Sequence, residues 1–477
     1  MTGEAPAPAT VEARSTGLRR ALSGRQVGMI AIGGAIGTGL FLGSGLAISL
    51  AGPAVIVAYV VAALAALALA YTLAEMTVVH PEAGGFGAIA QRYLGAGAGF
   101  VQRWIYWTAQ VVNIGSEVVA AGLYVRFWYP QLPLWVPVIA FSVIMLVVNA
   151  VSVRFFGEFE YWFAMIKVSA IVVFLVLGVL YIVVGLPGRP AVGLDALTEH
   201  GGFAPNGIGG VWLALTVVTF SYLGTEAVAV TAAESRNPVR DLPRAARRMV
   251  LRLALFYVLG MAVVVSIVPW QDAAEASGVQ SSPFVTLFEA AGVPAAAGVM
   301  NFVILTAALS AMNTNLYVTA RMGHSLAVDG YAPRWMARVN QRGVPRNALA
   351  LSATGLVLAA VISATAPQEA FAMMLGIALF GALVTWLLIF ATHAAFRRKR
   401  SAAGLPASPI RMPGAPVTTA LAALFVAAVL VTTAFTDHFN TAWKAGLPYL
   451  ALVVLAYLAI RRYRRNAAER PTEALER

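Results

Sequence analysis

Apolar stretches of about 17 to 25 residues recur along this chain, each long enough to cross the hydrocarbon of a bilayer as a helix. They lie near residues 27 to 49, 53 to 79, 104 to 128, 134 to 150, 160 to 185 and 209 to 233 in the first half. In the second half they lie near 249 to 269, 295 to 320, 347 to 366, 370 to 396, 416 to 435 and 443 to 460. Soluble domains carry about a quarter charged residues, whereas here 11% are charged and 60% hydrophobic. The chain reads as an all-α integral membrane protein with twelve transmembrane helices, and an even number of spans places both termini on one side. The first stretch is too long and too poorly flanked for a cleaved signal peptide.

Basic residues fall mostly in alternate loops, and such loops face the cytoplasm. Arg14, Arg19, Arg20 and Arg25 precede the first span, Arg236, Arg240, Arg244, Arg247 and Arg248 follow the sixth, and Arg397, Arg398, Lys399 and Arg400 follow the tenth. The opposite loops hold only Arg126, Arg189 and Lys444. Both termini are therefore expected in the cytoplasm. The net charge of +12 is spread over these short loops, so topology explains it and nucleic acid is not an expected partner. The expected organisation is a tail over 1–26, one membrane domain over 27–461 and a second tail over 462–477. No phosphate loop or soluble nucleotide-binding domain is present, which excludes ATP-driven transport by this chain alone. The chain has no cysteine, and its 5 histidines are scattered, so no metal site, redox centre or cofactor is expected.

Within the first span the run Gly33-Gly34-Ala35-Ile36-Gly37-Thr38-Gly39 is a poor helix, since each interior glycine costs roughly 0.8 to 1 kcal/mol relative to alanine. Two readings compete. Gly33 with Gly37, and Gly39 with Gly43, have the spacing that lets membrane helices pack closely. Alternatively the helix is broken, and free backbone at membrane depth lines a ligand site. The sixth span contains Phe220-Ser221-Tyr222-Leu223-Gly224-Thr225-Glu226, a second candidate break. Breaks in spans one and six are the pairing expected of a five-helix unit repeated upside down. Exposed amides at the start of one half-helix attract a carboxylate, and exposed carbonyls at the end of another attract an ammonium, so such a site suits an α-amino acid.

Ionisable residues inside spans cost about 2.5 to 3.5 kcal/mol each near a helix centre, so they pair, face water or serve transport. Glu75, Glu117, Lys167 and Glu226 are the exceptions here. Unlike arginine, a buried lysine can release its proton; the competing reading has Lys167 snorkelling or standing as a static partner of Glu158 or Glu160. Two loops, residues 80 to 100 and 325 to 345, read as a turn followed by a short helix across the membrane face, serving either as gates or as connectors. Asn113, Ser116, Ser310 and Asn313 are candidates for lining the pocket.

The segments IAIGGAIGTGLFLGSG at 30 to 45, AGPA at 51 to 54, GEFEYWFAMIK at 157 to 167, FSYLGTEAVAVTAAES at 220 to 235 and NPVRDLPRA at 237 to 245 resemble the bacterial amino acid permeases of the amino acid, polyamine and organocation (APC) superfamily. The resemblance implies the LeuT-type fold, a five-plus-five inverted repeat with helices 1 and 6 broken, plus two C-terminal helices. It implies a substrate site at Ala35, Ile36, Gly37, Thr38, Gly39, Phe220, Ser221, Leu223 and Gly224. There Thr38 and Gly39 meet the carboxylate, the carbonyls of Ala35, Phe220 and Leu223 receive the ammonium, and the Phe220 ring covers the substrate. Glu226 matches an acid implicated in gating or coupling. Lys167 resembles a lysine of proton-coupled relatives that stands where sodium-dependent transporters hold sodium, and Glu117 matches an acid of open role. The expected activity is import of an amino acid, with a lean towards a neutral L-amino acid, by proton symport across the bacterial cytoplasmic membrane. An exchanger of the same fold is the alternative, and a channel or receptor a more distant one. No enzymatic constellation is visible.

Overall fold

A computed structural model describes residues 24–26, 28–29, 36–82, 84–230, 235, 237–275, 283–367, 370–436 and 440–468. Gly33, Gly34 and Ala35 lie outside the described residues, as do most of the N-terminal tail and the last nine positions. Among the described residues the chain is helical and has no strand beyond an isolated bridge between Leu186 and Arg189.

In chain order the helices are α1 (Gly39–Ala51), α2 (Val55–Val79), α3 (Gly85–Tyr93), α4 (Ala96–Trp128), α5 (Trp135–Val151) and α6 (Val153–Val183). Next come α7 (Gly207–Ser221), α8 (Ala227–Val230), α9 (Pro238–Ile267), α10 (Trp270–Glu275), α11 (Pro283–Ala290) and α12 (Ala296–Val328). The rest are α13 (Arg346–Ser352), α14 (Thr354–Thr365), α15 (Ala370–Ala402), α16 (Val417–Thr433) and α17 (Asn440–Ala468). Seven helical stretches among the described residues are long and apolar enough to cross a membrane, and α5, α7 and α16 are shorter apolar helices.

The helix α4 is not among those seven although its 33 residues extend about 50 Å. Gln102, Arg103, Gln110, Ser116 and Glu117 lower its apolarity, and all five are buried. It is a spine rather than a lipid-facing strut. Along it run α12, whose apolar stretch is 78% buried, and α15. Small residues bring these backbones close, as packing inside a bilayer requires. A Cβ on Gly381 of α15 would stand 2.7 Å from that of Ala109, and one on Gly115 of α4 would stand 2.9 Å from the Gly355 carbonyl of α14.

The outer helices carry the opposite pattern. Trp162, Val176, Val179 and Val183 of α6 and Leu447, Leu452, Leu455 and Leu458 of α17 are exposed. A water-soluble surface rarely presents so continuous an apolar face.

The loop 80 to 100 contains the expected short helix, α3. The loop 325 to 345 differs: residues 325–328 finish α12, and after it only the 3₁₀ turn Arg334–Ala337 forms. The final helix continues past Arg465 to Ala468.

Candidate functional site

Both glycine-bearing interruptions fall where the sequence places them, and they touch. Residues 36–38 are non-helical and α1 starts at Gly39, with Thr38 as its N-terminal cap residue. Its first amides have no intrahelical acceptor and form a positive helix end. At the other interruption α7 stops at Ser221, residues 222–226 form turns, and the four-residue α8 follows. A Cβ on Gly39 would meet the Phe220 ring and the Ser221 Cα, each at 3.1 Å. Gly43 faces Val217 of the same helix. Gly39 and Gly43 seat α7, as the packing reading of that pair expects, and residues 36–38 before them are not helical; Gly33 lies outside the described residues.

Ile36, Thr38, Gly39, Phe220, Ser221, Leu223, Gly224 and Glu226 are all buried, and Gly37 is partly so. The Thr38 hydroxyl is buried and makes no hydrogen bond among the described residues. The Phe220 carbonyl accepts the Leu223 amide at 3.0 Å, and the Tyr222 amide is also directed towards it. Gly224 sits at φ +93°, where a side chain would strain the turn. Its amide donates to both carboxylate oxygens of Glu226 at 3.2 Å. That carboxylate also accepts Gln110 Nε2 of α4 and Trp386 Nε1 of α15, each at 3.2 Å. Glu226 thus pins the unwound segment to two helices of the spine.

Lys167 of α6 is fully buried, and its Nζ donates to the Ile36 carbonyl at 2.7 Å, inside the first interruption. Glu117 of α4 reaches the same place: its Oε1 lies 2.7 Å from where a Gly37 Cβ would be. The other oxygen, Oε2, is buried without a hydrogen-bond partner among the described residues, and the carboxyl group as a whole lies beside the Thr38 amide and hydroxyl. Glu117 and Glu160 both act electrostatically on the Lys167 ammonium.

Of the two partners proposed for Lys167, Glu158 is exposed and Glu160 is buried. Glu160, expected only as a static partner of Lys167, lies two turns from it on one helix face. It accepts hydrogen bonds from Ser310 Oγ and from Asn313 Nδ2, the latter at 3.0 Å. Asn149 of α5 donates to Asn313 Oδ1 at 2.8 Å and completes the network. Ser310 and Asn313 therefore serve Glu160. Ser116 and Asn113 bond to each other at 3.0 Å on α4, and Asn113 donates to Gln110 at 3.5 Å. Gln110 and Trp386 were missed, since nothing in one sequence pairs them with Glu226. Glu75 lies apart, accepting from His393 at 3.0 Å, Arg397 at 3.3 Å and the Met412 amide at 2.7 Å, a structural arrangement that joins α2 to α15. No group of three or more potential metal ligands occurs among the described residues.

An apolar helical shell around a buried centre of charges, with interrupted backbone at that centre, defines a multi-pass membrane protein built to handle a small polar solute. The profile described as "Amino acid permease" matches residues 26–468, and the chain belongs to that family of the APC superfamily. It is 36% identical over 441 residues to the probable threonine/serine transporter YbxG of Bacillus subtilis, covering 92% of this chain and 94% of that one. It is 37% identical over 447 residues to the gamma-aminobutyric acid permease of the same bacterium, covering 94% of each. It is 38% identical over 416 residues to the aromatic amino acid transport protein AroP of Escherichia coli K12, covering 87% and 89%. These relatives are transporters, and the chain is a membrane permease for an amino acid, not an enzyme.

Proposed function

We propose that this chain imports a neutral L-amino acid across the bacterial cytoplasmic membrane by proton symport, alternating access around the junction of α1 and α7. The observation that carries the reading is the Lys167 ammonium on the Ile36 carbonyl, 2.7 Å apart in the first interruption. A fixed cation there supplies the positive charge that a sodium ion would otherwise bring, and its proton can leave.

The substrate carboxylate is received by the amides at the start of α1 and by the Thr38 hydroxyl. The ammonium is received by the carbonyls at the end of α7, those of Phe220 and Leu223, together with Ala35. Ile36, Gly37, Ser221 and Gly224 shape the pocket. Lys167, Glu117 and Glu226 carry coupling and gating, and Glu160 is the counter-charge of Lys167. The two interruptions support a LeuT-type arrangement of twelve spans in a five-plus-five inverted repeat with two C-terminal helices. Tails at 1–26 and 462–477 face the cytoplasm and flank one membrane domain at 27–461. Relatives named for threonine or serine, γ-aminobutyrate and aromatic amino acids support a substrate without net charge.

The test is uptake into proteoliposomes. With an alkaline interior and no sodium, labelled substrate should accumulate above its external concentration. Strict dependence on sodium, or counterflow with no net uptake, would overturn proton symport.

A further inference from the structure

Four arginines of α9, Arg240, Arg244, Arg248 and Arg252, are spaced by four residues and follow one ridge for about 18 Å. Together with Arg25 of the segment before α1 they line an open cavity of about 490 Å³. One carboxylate, Asp241, faces these five guanidinium groups, and it accepts from Ser235 Oγ at 3.2 Å. Arg25 stacks on the Tyr161 ring at 3.9 Å. None of the four α9 side chains forms an ion pair or hydrogen bond among the described residues.

Arg244 also lines a second cavity, of about 220 Å³, on the other flank of α9. There Arg244 and Arg247 stand over an apolar wall formed by Leu67, Ala70, Tyr71 and Ala74 of α2. A basic cavity and an apolar groove thus meet at one arginine. Beyond Arg252 the helix α9 carries no charged residue up to its end at Ile267, so the ridge occupies the polar end of an apolar helix.

We propose that this ridge binds the phosphate of an anionic phospholipid, with a hydrocarbon chain in the groove on α2. Guanidinium groups pair with phosphate oxygens through two parallel hydrogen bonds, and basic pockets between helices at the membrane edge suit such headgroups. Orientation by positive charge accounts for having arginines on this side. It does not account for four of them facing a common cavity with an apolar groove attached. Free phosphate would use the cavity and leave the groove without a role.

The experiment uses the full chain in neutral detergent and follows thermal unfolding with added phosphatidylglycerol, phosphatidylcholine, glycerol 3-phosphate or inorganic phosphate. Phosphatidylglycerol alone should raise the transition, by about 3 to 6 °C. The rise should vanish in R244Q/R248Q and persist in R461Q/R462Q, which removes the same charge elsewhere. An equal rise with inorganic phosphate would replace the lipid by a free anion, and an undiminished rise in R244Q/R248Q would overturn the site. Native mass spectrometry of the unaltered protein gives an independent reading. Retention of phosphatidylglycerol no better than phosphatidylcholine would overturn the proposal even if the double variant fails to fold.

Discussion

A single lysine illustrates how one residue carries both legible and hidden information. Its place on a helix among apolar residues marks Lys167 as functional or paired, and its partner Ile36 lies 131 positions away, at an interruption that glycine content alone exposes. Lys167→Ala should lower concentrative uptake by at least about tenfold, the effect of roughly 1.4 kcal/mol, while leaving substrate binding by the purified protein nearly unchanged. Equal loss of binding and uptake would instead make Lys167 a substrate contact. Glu160→Gln should shift the pH dependence of uptake, because it removes the opposing charge and keeps the hydrogen-bond geometry towards Asn313. An unmoved profile would reduce Glu160 to packing. The partners of Glu160 and Glu226 were illegible because each contact joins helices far apart in the chain: Ser310 lies 150 residues from Glu160, and Trp386 lies 160 from Glu226. Hydrophobic periodicity reports which way a helix faces the lipid and says nothing of which buried polar groups meet.

Among the elements, α3 is held across the mouth of the bundle by Arg103 of α4, whose guanidinium donates to Gln91, to Ser325 at 3.0 Å and to Asp329 at 2.6 Å. Phe86 of α3 meets the Tyr106 ring edge-on at 4.9 Å, and Gly85 packs on the Ala229 carbonyl of α8. His80 closes the other end of this loop, its Nε2 at 2.8 Å from the Tyr93 hydroxyl. Burial first, then the charges of Arg92 and Arg400, hold its pKa down to about 4 from 6.5, and Glu82 stands 3.7 Å from its other nitrogen. A histidine lowered on folding binds its proton more readily when unfolded, so stability of this region should rise with pH between about 4 and 6.5 and be lost as pH falls through that window. Hydrogen exchange of residues 85–93, corrected for intrinsic rates, should speed up at pH 5 relative to pH 7. His80→Gln should flatten that difference, and an unchanged difference would place the sensitivity elsewhere. The short helix was legible from its glycine and proline flanks, whereas its fastening by Arg103 was not, since Ser325 and Asp329 lie more than 200 residues along the chain from it.

At the scale of the whole molecule, composition made the membrane class legible, and the alternation of basic loops supplies an orientation that can be tested. Since the chain has no cysteine, single cysteines test that orientation without background. In intact cells an impermeant thiol reagent should modify Thr198→Cys and should reach Ser401→Cys only after the membrane is opened; the reverse pattern would invert the topology. The apolar stretch 104 to 128 was legible, whereas the buried polar residues that make α4 the centre of the bundle were not, because their partners lie on helices distant in the chain. The approach of Gly39 to Phe220 and Ser221 has a mechanical meaning. A methyl group barely fits at that crossing, so the two backbones stand about as close as glycine allows, and a branched side chain at Gly39 would wedge α1 away from α7. Gly39→Val should therefore cost about 1 to 3 kcal/mol of stability, and it should arrest transport by loosening the pair even where the substrate amides stay in place.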